Sequence, residues 1–156
     1  RQNHKRIHLA IEAVSQLNDV SLLICGDGPD VQYFNDLCTQ KLGAQRFNIV
    51  KVDFADIPNV YRSVDAFTLP SEDEPFGRVY LEAMASGLPV IATDDSMRRT
   101  LIGKAGVVCN VENIGEYAAA IATTLTTDWA GAPIEQAADF SWESVAERYA
   151  DVIESL

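Results

Sequence analysis

The sequence predicts an α/β fold in which a parallel sheet lies between layers of helices. Two observations lead to it. Short apolar runs such as VSLLICG (20–26) and PVIAT (89–93) lack polar alternation, as in strands buried on both faces. Between such runs stand longer stretches with apolar side chains at helical spacing. Strands that alternate with helices in this way form βαβ units around a parallel sheet.

The elements follow in order. The first helix is read over 5–17, KRIHLAIEAVSQL, where Ile7, Ala10, Ile11 and Val14 share a face. The run 20–26 is the first strand. The turn GDGP (26–29) ends it, and Pro29 suits the first turn of the next helix. That helix, 30–42, repeats the spacing at Val31, Phe34, Leu37, Cys38 and, more loosely, Leu42. RFNIVKVDF (46–54) is a strand, and IPNVYRSV (57–64) a short helix with Pro58 in its first turn. DAFTLP (65–70) is the third strand, ended by Pro70. A helix over 75–87, PFGRVYLEAMASG, takes Gly87 as its C′ residue. Strands 89–93 and 106–110 come next, then an Ala-rich helix over 111–128 and a closing helix within 140–156. Ser141 is the N-cap of the last, and Glu143 in its first turn favours the helix dipole. Ser144 stands three residues after that cap, so a full capping box is absent. No repeat, low-complexity tract or linker interrupts this order. Residues 1–156 read as one domain with a single Rossmann-like sheet.

Composition narrows the function classes. A chain of 156 residues with 47% hydrophobic and 22% charged side chains is one globular domain, large enough to need no disulfide or metal staple. Cys25, Cys38 and Cys109 are too scattered for a disulfide framework or a zinc site. Cys25 and Cys109 lie in apolar runs and read as buried thiols, which suits a reducing, cytoplasmic compartment. A net charge of -11 disfavours nucleic acid as a partner. It leaves room for a local anion site built from backbone N–H groups and a few cations. No leader and no run of eighteen apolar residues is visible. The first helix begins almost at once without a preceding strand, as expected of a piece cut from a longer protein.

In open α/β sheets, ligands bind beyond the C-terminal ends of the strands. That edge carries GDGP (26–29), DFADIP (53–58), SEDEPFG (71–77) and DDSMRR (94–99). Glu74 precedes Pro75, which pushes it out of the α region to a place near the N-cap. Pro75 suits the first helical position. The N–H groups of Phe76, Gly77 and Arg78 then form an anion site, and Gly77 lets a ligand approach the backbone. Eight helical steps from Glu74 to Glu82 leave a net rotation of about 80° and a rise of about 12 Å. The two carboxylates can thus face one side with the N–H groups between them. A nucleotide sugar, anionic in the middle and hydroxylated at both ends, matches that pattern. The bland alternative makes Glu74 a dipole-favoured acid and Glu82 a solvated one. The apolar neighbours Tyr80, Leu81, Ala83, Met84 and Ala85 argue against a surface place for Glu82.

EPFGRVYLE (74–82) followed by AMASGLPVIAT (83–93) resembles the E-x7-E signature of retaining GT-B glycosyltransferases of family 4. HKRIHLAIEAV, LLICGDGP and ADIPNVYRSVDAFTLPS upstream, and AGVVCNVENIGEYAAAI and FSWESVAERY downstream, continue the likeness over nearly the whole chain. The resemblance implies the C-terminal, donor-binding half of a two-domain hexosyltransferase. Its N-terminal domain, absent here, would hold a saccharide or lipid acceptor. The fragment alone would be inactive. The enzyme would be cytoplasmic, or peripheral at the inner face of the membrane through the full-length protein. The donor would be a UDP or GDP sugar, with no cofactor and no metal. By resemblance Glu74 contacts the donor sugar and Glu82 the ribose hydroxyls. Backbone groups at Phe76, Gly77, Arg78 and Val79 meet the sugar and diphosphate. Lys5 is the lysine that neutralises the diphosphate. Arg1 is the candidate for the accompanying arginine, with three residues before Lys5 where the family has four. Catalysis would rest on electrostatic stabilisation of the leaving diphosphate by Lys5, a basic partner and N–H groups. Glu74 would position the sugar and balance oxocarbenium-like charge. Phe54 and its neighbours resemble the base-contacting loop.

Several residues keep two readings. Gly26 in GDGP either lines the donor cleft or belongs to a plain strand-to-helix turn. Phe54 itself contacts the base or serves core or loop packing. Arg78 is a surface partner of Glu74 or Glu82 at i,i+4, or a donor contact. His4 and His8 read as solvated. Asp94-Asp95 has the form of a divalent-metal pair, but the resemblance implies a metal-independent enzyme. Two other functions remain open beside transfer: a GT-B-fold nucleotide-sugar epimerase, and a non-catalytic Rossmann-like nucleotide-binding domain.

Overall fold

The computed structural model describes residues 4–72 and 74–155. Five strands are parallel to their partners: β1 (Leu22–Cys25), β2 (Phe47–Val50), β3 (Phe67–Leu69), β4 (Val90–Thr93) and β5 (Gly106–Cys109). They form two ladders, β1-β2 and β3-β4-β5, rather than the single sheet expected from the sequence. With three residues, β3 offers few ladder groups. A shared core joins the two instead: Leu22, Ile24, Phe47 and Ile49 pack in one cluster with Ile91, Val107 and Cys109.

The helices lie on both faces. Ile11 and Val14 of α1 (Ile7–Ser15), Phe34 and Cys38 of α2 (Val31–Leu42), and Tyr117 and Ile121 of α6 (Ile114–Thr126) meet Ile91 in that cluster. Tyr80 and Met84 of α4 (Arg78–Ala85) and Leu101 and Ile102 of α5 (Ser96–Ile102) meet Val90 and Ala92 in a second. Successive residues of β4 thus enter opposite cores, which is why PVIAT carries no polar alternation. The Tyr117 hydroxyl is satisfied by Thr68 Oγ1 at 2.6 Å. Burial of each large core side chain contributes about 1.5–3 kcal/mol. The short α3 (Ile57–Tyr61) packs on α4 through Tyr61, Ala83 and Leu88.

Two helices were not anticipated from the sequence. In α5 the pair Arg98-Arg99 hides the apolar pattern, yet Arg98 is buried, with Nη1 on Asp95 Oδ2 at 2.5 Å. The seven-residue α7 (Ala132–Ala138) is too short to show a period and opens with Pro133 in its first turn. It docks through the Gln136 amide, which donates to the Leu101 carbonyl at 3.2 Å. The predicted caps at Ser141 and Gly87 hold, whereas Pro29 falls before the Asp30 N-cap of α2 rather than in its first turn. Ser141 accepts from the Ser144 N–H at the start of α8 (Trp142–Glu154). Gly87 has φ +88°. Gly87 N–H donates to Met84 and Leu88 N–H to Ala83, which closes α4 in a Schellman motif. Cys38 and Cys109 are buried, but Cys25 is exposed. It ends β1 at the open edge of the ladder, so the apolar run does not cover it. No helix among the described residues is long and apolar enough to cross a membrane. On α8 no side chain is buried, and Trp142, Tyr149, Val152 and Ile153 form an exposed apolar face.

Candidate functional site

The C-terminal edge of the sheets collects the predicted residues into two groups. The first surrounds Glu74, just beyond β3. Lys5 Nζ donates to Glu74 Oε2, and Ser71 Oγ reaches the same oxygen at 3.3 Å. The Lys5 hydrogen bond and charge, together with Ser71, hold the Glu74 carboxyl below its ordinary range despite partial burial. The carboxylate is therefore ionised and anchored from two sides.

Arg6 fixes this arrangement from beneath. It stands in the left-handed region at φ +47°, as N-cap of α1. Its Nε donates to the Pro70 carbonyl at 2.7 Å, Nη2 to Thr93 Oγ1 at 3.1 Å and Nη1 to Glu112 at 2.9 Å. One guanidinium thus ties the ends of β3 and β4 to the segment after β5, and seats Lys5 beside Glu74. The His4 carbonyl accepts from the Glu72 N–H, which continues the clamp, and at 3.1 Å it is the alternative acceptor for the one proton of Ser71 Oγ. Helical spacing singles out neither Arg6 nor Ser71. Their signal is adjacency: one follows Lys5 and the other lies two residues beyond β3.

The turn into α4 departs from expectation. The helix begins at Arg78, not at Pro75, and Gly77 is its N-cap at φ +80°. Phe76 and Gly77 therefore precede the helix. Arg78 and Val79 supply first-turn N–H groups, which lack helical acceptors by position. Only the last four of the eight steps from Glu74 to Glu82 are helical, a rise of about 6 Å. The helical ruler of about 12 Å does not apply. Gly77 is also required by packing: a Cβ there would lie 2.5 Å from Tyr80 Cδ2. Phe76 packs edge-on against Phe140, with centroids 6.3 Å apart.

The second group lies around Glu82. A cavity of about 250 Å³ is lined by Phe54, Ile57, Pro58, Tyr61, Glu82 and Ser86. Phe54, in a 3₁₀ turn after β2, is 89% exposed at its rim, so it does not serve as core packing. Glu82 is exposed, contrary to the expectation from its apolar neighbours, because only Tyr80, Ala83 and Met84 fill the buried face of α4, and Ala85 shares the open side with Glu82. Its carboxylate meets the Tyr61 hydroxyl at 3.3 Å. Burial first, then the Glu82 charge, pushes the Tyr61 hydroxyl up, so it stays protonated. Tyr61 was not singled out in the sequence. Its place four residues after Ile57 marks it only as apolar-face material.

The remaining candidates are placed as follows. Gly26 follows β1 and its N–H donates to the Val50 carbonyl at 2.9 Å, as in a plain strand extension. Among the described residues Arg78 is exposed and pairs with neither glutamate; Lys5 takes that role for Glu74. His4 is exposed and His8 half-buried. Asp94 is bound by Arg99 at 2.5 and 2.7 Å, and Asp95 caps α5 and pairs with Arg98, so both acids are engaged by arginines. Arg1 lies outside the described residues. A further cavity of about 290 Å³ is lined by Lys104, Glu135 and Asp139 among others. Lys104 precedes β5, so this cavity lies at the opposite edge from Glu74 and Glu82.

The chain resembles known proteins over nearly its whole length. The chain is 32% identical to glycogen synthase of Mycobacterium tuberculosis, over 95% of this chain and 39% of that protein. It therefore spans about two fifths of that relative's length. The structure of sucrose-phosphate synthase from Thermosynechococcus elongatus matches 99% of this chain and 43% of its own, with 27% identity and a TM-score of 0.79. HepE of Anabaena, solved in complex with UDP and glucose, matches 100% of this chain and 46% of its own, with 26% identity and a TM-score of 0.77. The fold is the Rossmann-like one of GT-B glycosyltransferases. The family model described as glycosyl transferases group 1 matches residues 1–141. The chain belongs to the glycosyl transferases group 1 family.

Proposed function

We propose that the chain is the C-terminal, donor-binding half of a retaining hexosyltransferase that uses a nucleotide-diphosphate sugar of UDP or GDP type. The observation that carries this reading is the pair of sites flanking the start of α4. On one side an ionised Glu74 is held by Lys5 and Ser71. On the other a cavity with an exposed aromatic rim ends at Glu82. The Arg78 and Val79 N–H groups at the start of α4 suit the diphosphate. Phe54, Ile57 and Pro58 suit a planar base, and Glu82 suits the ribose diol.

The chemistry follows from these parts. Lys5 and the backbone N–H groups stabilise charge on the leaving diphosphate, with no metal in this role. Entry of the diphosphate draws Lys5 away from Glu74. The freed carboxylate then orients the sugar and balances positive charge at its anomeric carbon. The protein supplies no covalent nucleophile in this scheme. The acceptor, a saccharide or a lipid, binds a second, N-terminal domain, so this chain by itself binds donor without transferring sugar. The bare apolar face of α8 suits docking against that domain. The protein works in the cytoplasm or at the inner face of the membrane.

Titration of the chain with UDP, GDP and their sugars, followed by amide NMR, tests the reading. Shifts are expected at Lys5, Glu74, Arg78, Val79 and Glu82. If neither nucleotide moves these signals, the donor-domain reading is wrong.

A further inference from the structure

We infer that Tyr61 is a positioning residue that sets the Glu82 carboxylate to read the 2′,3′-diol of a ribonucleotide. The site thereby selects ribonucleotide sugars over 2′-deoxyribonucleotide sugars. The inference rests on the donor-domain reading and deepens it.

Glu82 is exposed on α4, where a free glutamate samples many rotamers and loses that freedom on binding. Among the described residues its carboxylate has one hydrogen-bond partner, the Tyr61 hydroxyl at 3.3 Å. Tyr61 is itself rigid. Its ring is buried, packs on Ala83 and Leu88, and meets Phe67 edge-on with centroids 5.8 Å apart. The hydroxyl also lies 3.5 Å from the Val79 carbonyl, so its single proton is aimed at α4 from either acceptor. A fixed donor from a different helix therefore holds a mobile acceptor.

The division of lone pairs gives the specificity. An ionised carboxylate offers about four acceptor sites, and Tyr61 occupies one on Oε2. Oε1 and the second site of Oε2 remain for two hydroxyl donors, which is what a vicinal diol presents. A 2′-deoxyribose supplies one donor and leaves the other acceptor to water, so it forgoes one charge-assisted hydrogen bond. Tyr61 ends α3, whose first residues Ile57 and Pro58 line the same cavity as Phe54. One short helix thus sets the wall for a base and the support for the ribose acceptor at a fixed spacing.

The test is calorimetric titration of the chain with UDP and GDP and with their 2′-deoxy counterparts. The wild type is expected to bind the preferred ribonucleotide about tenfold tighter than its 2′-deoxy form. Tyr61→Phe should reduce that preference to about twofold and leave 2′-deoxy affinity unchanged. Glu82→Gln should abolish the preference, and adding Tyr61→Phe to it should change nothing further. A merely structural role for Tyr61 would weaken both sugars equally. That result, a preference surviving in Tyr61→Phe, or nucleotide binding without any ribose preference would overturn this inference and leave the donor reading intact. Failure of every nucleotide to bind would overturn both.

Discussion

Gly77→Ala separates two reasons for a glycine at the start of α4. The sequence suggests that Gly77 admits a ligand to the backbone. The structure places it at φ +80°, where a side chain costs about 1–2 kcal/mol. An added Cβ would also fall 2.5 and 2.6 Å from Tyr80 Cδ2 and Cε2. That ring is fully buried, packed with Met84 and Leu101, and tethered by its hydroxyl to the Leu69 carbonyl at 2.8 Å. It has little freedom to retreat, so overpacking adds about 1–3 kcal/mol. The two costs together come to about 2–5 kcal/mol, or a fall of roughly 5–15 °C in Tm for a chain of this size. Urea unfolding followed by circular dichroism, without nucleotide, measures it. Gly26→Ala is the control: its Cβ would meet nothing within 4 Å, and the change should stay within about 0.5 kcal/mol. If Gly77→Ala unfolds with wild-type stability, the turn and the Tyr80 contact do not demand glycine, and the ligand-approach reading returns.

Two further outcomes follow from the same geometry. Lys5→Met should raise the titration midpoint of Glu74, because the Lys5 hydrogen bond is the largest influence holding it down. A depressed folded-state carboxyl stabilises the protein above the ordinary carboxylate range and loses that contribution as pH falls through its lowered value. The stability gap between wild type and variant should therefore be present at neutral pH and close on acidification. Side-chain carboxyl NMR and unfolding at several pH values check this, and an unmoved Glu74 midpoint would refute the pairing. Native protein at pH 8 should show one fast-reacting thiol, Cys25, and three after denaturation. Burial pushes the Cys38 and Cys109 thiols up to about 11, so both lag; fast labelling of either would contradict their place in the core.

What the sequence made legible was whatever rests on period and edge. The two-faced burial of β4 appears directly as an unbroken apolar run, and the strand ends place Lys5, Glu74 and Glu82 around one edge of the sheets. Arg98 shows the limit of that method. A charged residue there turns inward because Asp95, three residues earlier, supplies its counter-charge. No hydrophobic pattern can signal such a pair. The same limit explains Glu82, whose neighbours Tyr80, Ala83 and Met84 fill the buried face of the helix and leave its own face open.

The eight-residue spacing of the glutamates carried the functional reading, yet its geometric justification was wrong. A proline at the first helical position and continuous helical rotation would have placed both acids on one rigid rod. The left-handed Gly77 divides the segment instead. Glu74 stands on a strap pinned by Lys5 and Ser71, and through them by Arg6 at the ends of β3 and β4. Glu82 stands on α4 and is met by Tyr61 from α3. Because the two acids have separate supports, the pairing at one can change without moving the other. On the proposed reading, diphosphate entry would release Lys5 from Glu74 while the Tyr61–Glu82 contact holds. A rigid rod would couple those events; under the proposed function the divided segment would let a nucleotide be seated before its sugar is oriented.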